Sequence, residues 1–144
     1  MHRYFLLLGV GIVCLSSLSF AQAPGDRQYY SAWTKHTTKN YYYRNYYFKK
    51  SANDEKYTYH YAIYFPSRGK RIFMYNPQSR KYWGAWEVDK YSLLPKEKQK
   101  ASIDEIAAED FPAFGAAPTI PGIEDKITMI PPPKDFPKVD DDRP

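Results

Sequence analysis

Cysteine is almost missing from this chain of 144 residues: the single copy, Cys14, falls in the N-terminal apolar stretch. From Pro24 onward there is none, which excludes disulfide scaffolds, thiol nucleophiles and Cys-ligated metal sites in that part. Aliphatic side chains are nearly as scarce. Leu, Ile, Val and Phe fill only 18 of the 121 positions after Ala23, a share that usually signals disorder. Glycine, with 7 copies, is too rare for collagen, and the composition also excludes coiled coils and multi-pass membrane proteins. Tyrosine fills the gap. It occurs 15 times, 14 of them after Ala23, so an aromatic core or an aromatic surface has to replace the usual aliphatic one.

The first residues carry Arg3, then an apolar run from Phe5, then Ala21-Gln22-Ala23. This is the plan of a cleavable secretory signal ending at Ala23, and it implies an extracytoplasmic protein. An uncleaved anchor fits less well, because the run is shorter than the ~20 residues a bilayer requires. Lipidation at Cys14 is disfavoured by Val13, which stands where a small residue is expected.

Composition divides the remainder near Pro95. Residues 24–94 carry 13 Lys and Arg against 5 Asp and Glu, whereas residues 95–144 carry 7 against 11 and hold 9 of the 12 prolines. Four segments follow: a signal at 1–23, a basic Tyr-rich sheet domain at 24–94, a linker with a short helix at 95–110, and an acidic proline-rich tail at 111–144. The opposite signs permit the tail to lie back on the basic part; the alternative is a solvated tail.

Within the basic part, Tyr57 to Phe65 alternates Tyr57, Tyr59, Tyr61, Ile63 and Phe65 with Thr58, His60, Ala62 and Tyr64, the period of a strand. Ser67-Arg68-Gly69-Lys70 supplies a tight turn, and Arg71 to Tyr75 resumes the alternation. Asn76-Pro77 suits a type I turn before a strand over Arg80 to Val88. Asn40 to Lys49 predicts an earlier strand, Gln28 to Trp33 an edge, and Lys126 to Ile130 at most a short addition. Ser102-Ile103-Asp104-Glu105 reads as a capping box opening a helix of about two turns. The expected fold is mainly β: a small antiparallel meander of four or five strands with one short helix and a proline-rich tail.

The order Tyr59-His60-Tyr61-Ala62-Ile63-Tyr64-Phe65-Pro66-Ser67-Arg68, Tyr75-Asn76-Pro77, Lys81-Tyr82-Trp83-Gly84 and Tyr91-Ser92-Leu93-Leu94, followed by a Pro-rich close, resembles a group of small secreted Tyr-rich proteins of planctomycete bacteria. The similarity covers roughly residues 57–137. It implies secretion and a small domain, and it carries over no activity, ligand or catalytic residue.

Chemical motifs are few. His36 and His60 lack metal-ligand spacing. Ser67 or Ser79 with His60 and Asp89 lacks a nucleophile elbow and a glycine-rich oxyanion loop. Glu87 and Asp89 share one strand face instead of flanking a cleft. Basic residues interleaved with tyrosines could suit nucleic acid, but export argues against it, and Lys and Arg also guard sheet edges. The surplus aromatic area is the clearer signal. Aromatics occupy both strand faces, with Tyr42, Tyr46 and Tyr64 opposite Tyr41, Tyr43 and Tyr61. The reading is a non-catalytic binding or envelope-structural module without a cofactor, its partner a glycan, peptide or envelope protein. An enzyme of unrecognised type or a polyanion binder is the alternative. Tyr64, Tyr82, Trp83 and Trp86 are the candidate platform, with Trp83 and Trp86, three apart, expected on opposite faces.

Export predicts that mass spectrometry of the secreted chain finds Pro24 as its first residue; recovery of intact Met1 from the envelope fraction would contradict it.

Overall fold

The computed structural model describes residues 27–139, so the expected leader and cleavage after Ala23 lie outside the described residues. Among the described residues seven strands form one antiparallel sheet: β1 (Gln28–Tyr30), β2 (Thr34–Lys35), β3 (Tyr42–Phe48), β4 (Thr58–Tyr64), β5 (Arg71–Asn76), β6 (Lys81–Glu87) and β7 (Lys90–Leu93). The spatial order is β1-β3-β4-β5-β6-β7, with β2 also paired to β3. The fold is mainly β, as expected. Its strands outnumber the four or five anticipated because β2 and β7 are too short to leave a period-two signature.

Local chemistry accounts for the turns. Gly69 takes φ +73° after a 3-10 turn over Pro66–Arg68, a conformation that costs glycine nothing. Before β6, the Asn76 Oδ1 accepts from the backbone N–H of Gln78 at 2.9 Å and of Ser79 at 3.4 Å, while Pro77 presets the turn.

The pleat sorts the aromatics onto two faces. On the first, Tyr46, Phe48, Ala62, Ile72, Met74, Trp83, Trp86 and Tyr91 form a buried cluster. On the second, Ile63, Phe73, Tyr82 and Ala85 are buried, with Tyr41, Tyr43, Tyr61, Phe65 and Tyr75 half-buried around them. Trp83 and Trp86 share the first face, contrary to strict alternation. Met74 faces Gly84 while Tyr75 faces Tyr82, so Trp83 is the extra residue of a bulge, and one inserted residue resets the alternation.

The chain after β7 covers both faces. Leu94, Ile103 and Ile106 close part of the second face. The segment there contains 3-10 turns at Lys96–Lys98, Ile103–Glu105 and Ala108–Asp110 in place of the expected helix. Ser102 does cap, its hydroxyl accepting from Asp104 N at 3.3 Å. The carboxylate that reaches back is Asp110, which accepts from Ala107 N at 3.0 Å, not Glu105. A two-turn helix barely offsets its nucleation cost, whereas here Ile103 opens a 3-10 turn and the extended Ile106 closes it, both buried against the second face.

Residues 117–138 cross the first face. Arg27 starts the attachment, donating to Asp125 at 3.0 Å and to the carbonyls of Lys49 and Lys50. Ile120 and Met129 enter the cluster, and Arg44, only 3% exposed, lies 4.2 Å over the Trp33 ring and 3.3 Å from Asp135. The anticipated strand at Lys126 to Ile130 reduces to one bridge, Thr119 with Thr128.

Gly84 is where the packing is tightest, because a Cβ there would stand 1.7 Å from the Tyr91 hydroxyl and 2.9 Å from the Ser92 carbonyl. Gly84→Ala is expected to destabilise the fold by about 3 kcal/mol, the upper part of the overpacking range. Urea denaturation of wild type and variant measures it, and a loss under about 1 kcal/mol would mean that the β6–β7 pair yields easily.

Candidate functional site

The alternate residues of β3 and β4 determine what the second face offers. Because Tyr42, Arg44, Tyr46 and Phe48 turn toward the tail, Tyr43 and Tyr47 must turn the other way. The same logic places Tyr59 and Tyr61 of β4 beside them, in register with Tyr47 and Asn45. The rings make a continuous array. Tyr29 stacks on Tyr47 at 4.8 Å between centroids, and Tyr59 stands edge-on to Tyr61 at 5.6 Å. Tyr61 is perpendicular to Tyr43 at 5.6 Å and stacked on Tyr75 at 6.5 Å.

Part of this array floors an open groove of about 680 Å³. Tyr41, Tyr43, Tyr61, Tyr75 and Tyr82 form the floor together with Ile63. One wall is the loop before β3, with His36, Lys39 and Asn40; the other combines Phe65, Ser67 and Arg68 with residues 101–104. Arg68 is ion-paired with Asp104 across that second wall.

The electrostatics are those of a neutral donor surface with a basic rim. Burial, with neighbouring phenols adding to it, pushes the hydroxyls of Tyr41, Tyr61 and Tyr82 above their ordinary range. They are therefore protonated at any physiological pH and can donate hydrogen bonds. His36 is held by its own loop: Nδ1 accepts from the backbone N–H of Thr38 at 3.2 Å and of Lys39 at 3.1 Å, with the ring 4.5 Å from Tyr41. An acceptor at Nδ1 leaves the proton of the neutral imidazole on Nε2.

Of the four residues singled out in the sequence, only Tyr82 lines the groove. Tyr64 lies on the first face, 8% exposed, against Tyr42, Trp33 and Phe136. Trp83 and Trp86 are core residues at 5% and 0% exposure, so neither indole offers an open stacking surface. The residues missed as platform members are Tyr41, Tyr43, Tyr61 and Tyr75. Strand alternation does place Tyr41, Tyr43 and Tyr61 on one face, but no local signal says which face the tail covers.

The polar combinations considered for catalysis are not assembled. His60 faces the opposite side of the sheet from the groove, edge-on to Phe48 and Trp83 at 5.3 and 5.4 Å, and its Nδ1 has no hydrogen-bond partner among the described residues. Glu87 is paired with Arg71 at 3.2 Å. Among the described residues no three His, Cys, Asp or Glu side chains cluster as metal ligands, and no helix is long and apolar enough to cross a membrane.

Compared with known families, curated proteins and solved structures, the chain matches none. The groove is therefore interpreted on its own chemistry.

His60 provides a pH test of this arrangement. Burial, and secondarily the charge of Lys50, lowers its pKa from 6.5 to about 4. The fold disfavours the charged ring, so stability is complete above pH 6.5 and is lost as pH falls toward 4, when the unfolded chain binds the extra proton. The loss attributable to this group is at most about 3 kcal/mol. Urea midpoints across that window should decline more steeply for wild type than for His60→Phe; parallel curves would show that His60 is not buried neutral.

Proposed function

We propose that the protein is an exported, non-catalytic binding module that holds an extended polymer, glycan or peptide, in its tyrosine groove. One observation carries the reading: five tyrosines converge on an open groove of about 680 Å³. Tyrosine combines a flat apolar face with a polar tip and only two rotatable bonds, so it contributes contact area at low ordering cost. The groove has the volume of a ligand site and mixes apolar floor with a few placed polar groups. Export is supported by the leader pattern ending in Ala21-Gln22-Ala23. A non-catalytic role is supported by the character of the rim, where Arg68 is already committed to Asp104 and the His36 Nδ1 to its own loop.

The test is an array of glycans and peptides probed with the mature chain and with Tyr61→Ala and Tyr75→Ala. Each lost ring is expected to weaken binding about three- to ten-fold, the worth of one aromatic contact. Ligands bound equally by all three proteins, or no ligand at all, would overturn the reading.

A further inference from the structure

The first face of the sheet already binds a proline-rich segment, and it does so with the same residue type that floors the groove. The Tyr30 hydroxyl donates to the Ile130 carbonyl at 2.9 Å, the Trp33 Nε1 to the Asp135 carbonyl at 2.6 Å, and the Tyr42 hydroxyl to the Lys138 carbonyl at 3.4 Å. Between these anchors run Pro131, Pro132 and Pro133. Proline has no N–H and keeps the chain extended, so the flanking carbonyls of Ile130, Asp135 and Lys138 are open to donors from the sheet. An extended chain of this kind also has little freedom left to lose on docking. The sheet thus reads a polyproline-like strand through aromatic donors to backbone carbonyls, with a buried cation, Arg44, beside the acidic Asp135.

The second face offers aromatic hydroxyl donors of the same kind. Tyr43 and Tyr61 belong to the same β3 and β4 strands, one residue out of phase with Tyr42 and His60. Their hydroxyls and those of Tyr41, Tyr75 and Tyr82 supply donors, and Lys39 adds a cation to the groove wall, Arg68 being paired with Asp104. Beyond the groove the rings continue through Tyr59 and Tyr47 to Tyr29. Successive centroids along this track are 4.9, 6.5, 5.6, 6.0 and 4.8 Å apart from Tyr82 through Tyr75, Tyr61, Tyr59 and Tyr47 to Tyr29. At ~3.1 Å per residue, up to roughly nine residues of polyproline II would follow it.

We propose that the occupant of the groove is an extended, proline-rich peptide with an acidic residue, supplied by another protein and held by tyrosine hydroxyls donating to its backbone carbonyls. This rests on the binding-module reading and narrows its ligand to one class. Saccharides would use the tyrosine rings chiefly as stacking faces; a proline-rich backbone uses the hydroxyls, and that difference is measurable.

The probe is a synthetic peptide of residues 128–138, Thr-Met-Ile-Pro-Pro-Pro-Lys-Asp-Phe-Pro-Lys, titrated calorimetrically into the mature full-length chain. Its controls are the same peptide with each proline replaced by alanine, a neutral cello-oligosaccharide and an oligogalacturonate. Tyr61→Phe and Tyr75→Phe keep the rings and remove the hydroxyls. The expected result is peptide binding that weakens about three- to ten-fold in each Phe variant and more with the alanine peptide. Because the peptide could displace its own copy from the first face, Tyr30→Phe is measured in parallel and should leave affinity unchanged. Weakening by Tyr30→Phe with no effect of Tyr61→Phe would place the peptide on the first face and overturn the inference. Saccharide binding lost in Tyr61→Ala, without peptide binding, would overturn the peptide but leave the binding module standing. Absence of any groove-dependent ligand would overturn both.

Discussion

Gln28 is 1% exposed, and its amide is the junction on which the first face closes. The Nε2 donates to the Thr128 carbonyl at 2.8 Å, while Oε1 accepts from the Ile130 N–H at 3.0 Å and from the Tyr46 hydroxyl at 2.6 Å. One side chain pairs with three groups, the Tyr46 hydroxyl fully buried among them, and a lost partner in a buried place costs the full desolvation of what remains. It also joins parts far apart in sequence: the first strand, the third strand and the proline-rich crossing. Register along that crossing follows from it, since Tyr30, Trp33 and Tyr42 meet Ile130, Asp135 and Lys138 in the same order.

The need for such a junction traces to composition. A core made of tyrosine and tryptophan carries a polar tip on each large side chain, so covering it demands acceptors and not only apolar area. A chain crossing without regular secondary structure has unpaired carbonyls to offer, and three aromatic donors use them. The satisfaction is incomplete: Trp83 Nε1, Trp86 Nε1 and the Tyr91 hydroxyl are buried without partners among the described residues. These groups sit where the bulge and the close pass over Gly84 fix ring positions by shape.

An aromatic sheet with two apolar faces also needs two covers, and one chain end supplies both. The stretch from Leu94 to Phe114 closes the β5–β7 part of the second face, and residues 117–138 cross the first. What is left over on the second face is the tyrosine track, with its groove over β3 to β6 between the loop before β3 and the turn at Ser102. The groove thus results from the unequal reach of the two covers. If a ligand lies there, it completes the second face much as the tail completes the first.

Alternation in Tyr57 to Phe65 and Asn40 to Lys49, the glycine at 69 and the Asn-Pro at 76 and 77 were enough to foresee an antiparallel sheet, its turns and the division of Tyr42, Tyr46 and Tyr64 from Tyr41, Tyr43 and Tyr61. These depend on side-chain period and local backbone preference, which a linear sequence carries in full. In place of the helix expected after Ser102 there is a 3-10 turn, because so short a segment takes its conformation from what Ile103 and Ile106 must reach. The common face of Trp83 and Trp86 depends on a bulge between β5 and β6 that neither strand announces alone. Which tyrosines became core and which floor a groove was settled by the tail's choice of face, made through Gln28, Arg44 and Asp135, contacts that span 91 to 102 positions along the chain. Contacts at such separation leave no local pattern, so only the folded arrangement of the tail over the sheet could assign them.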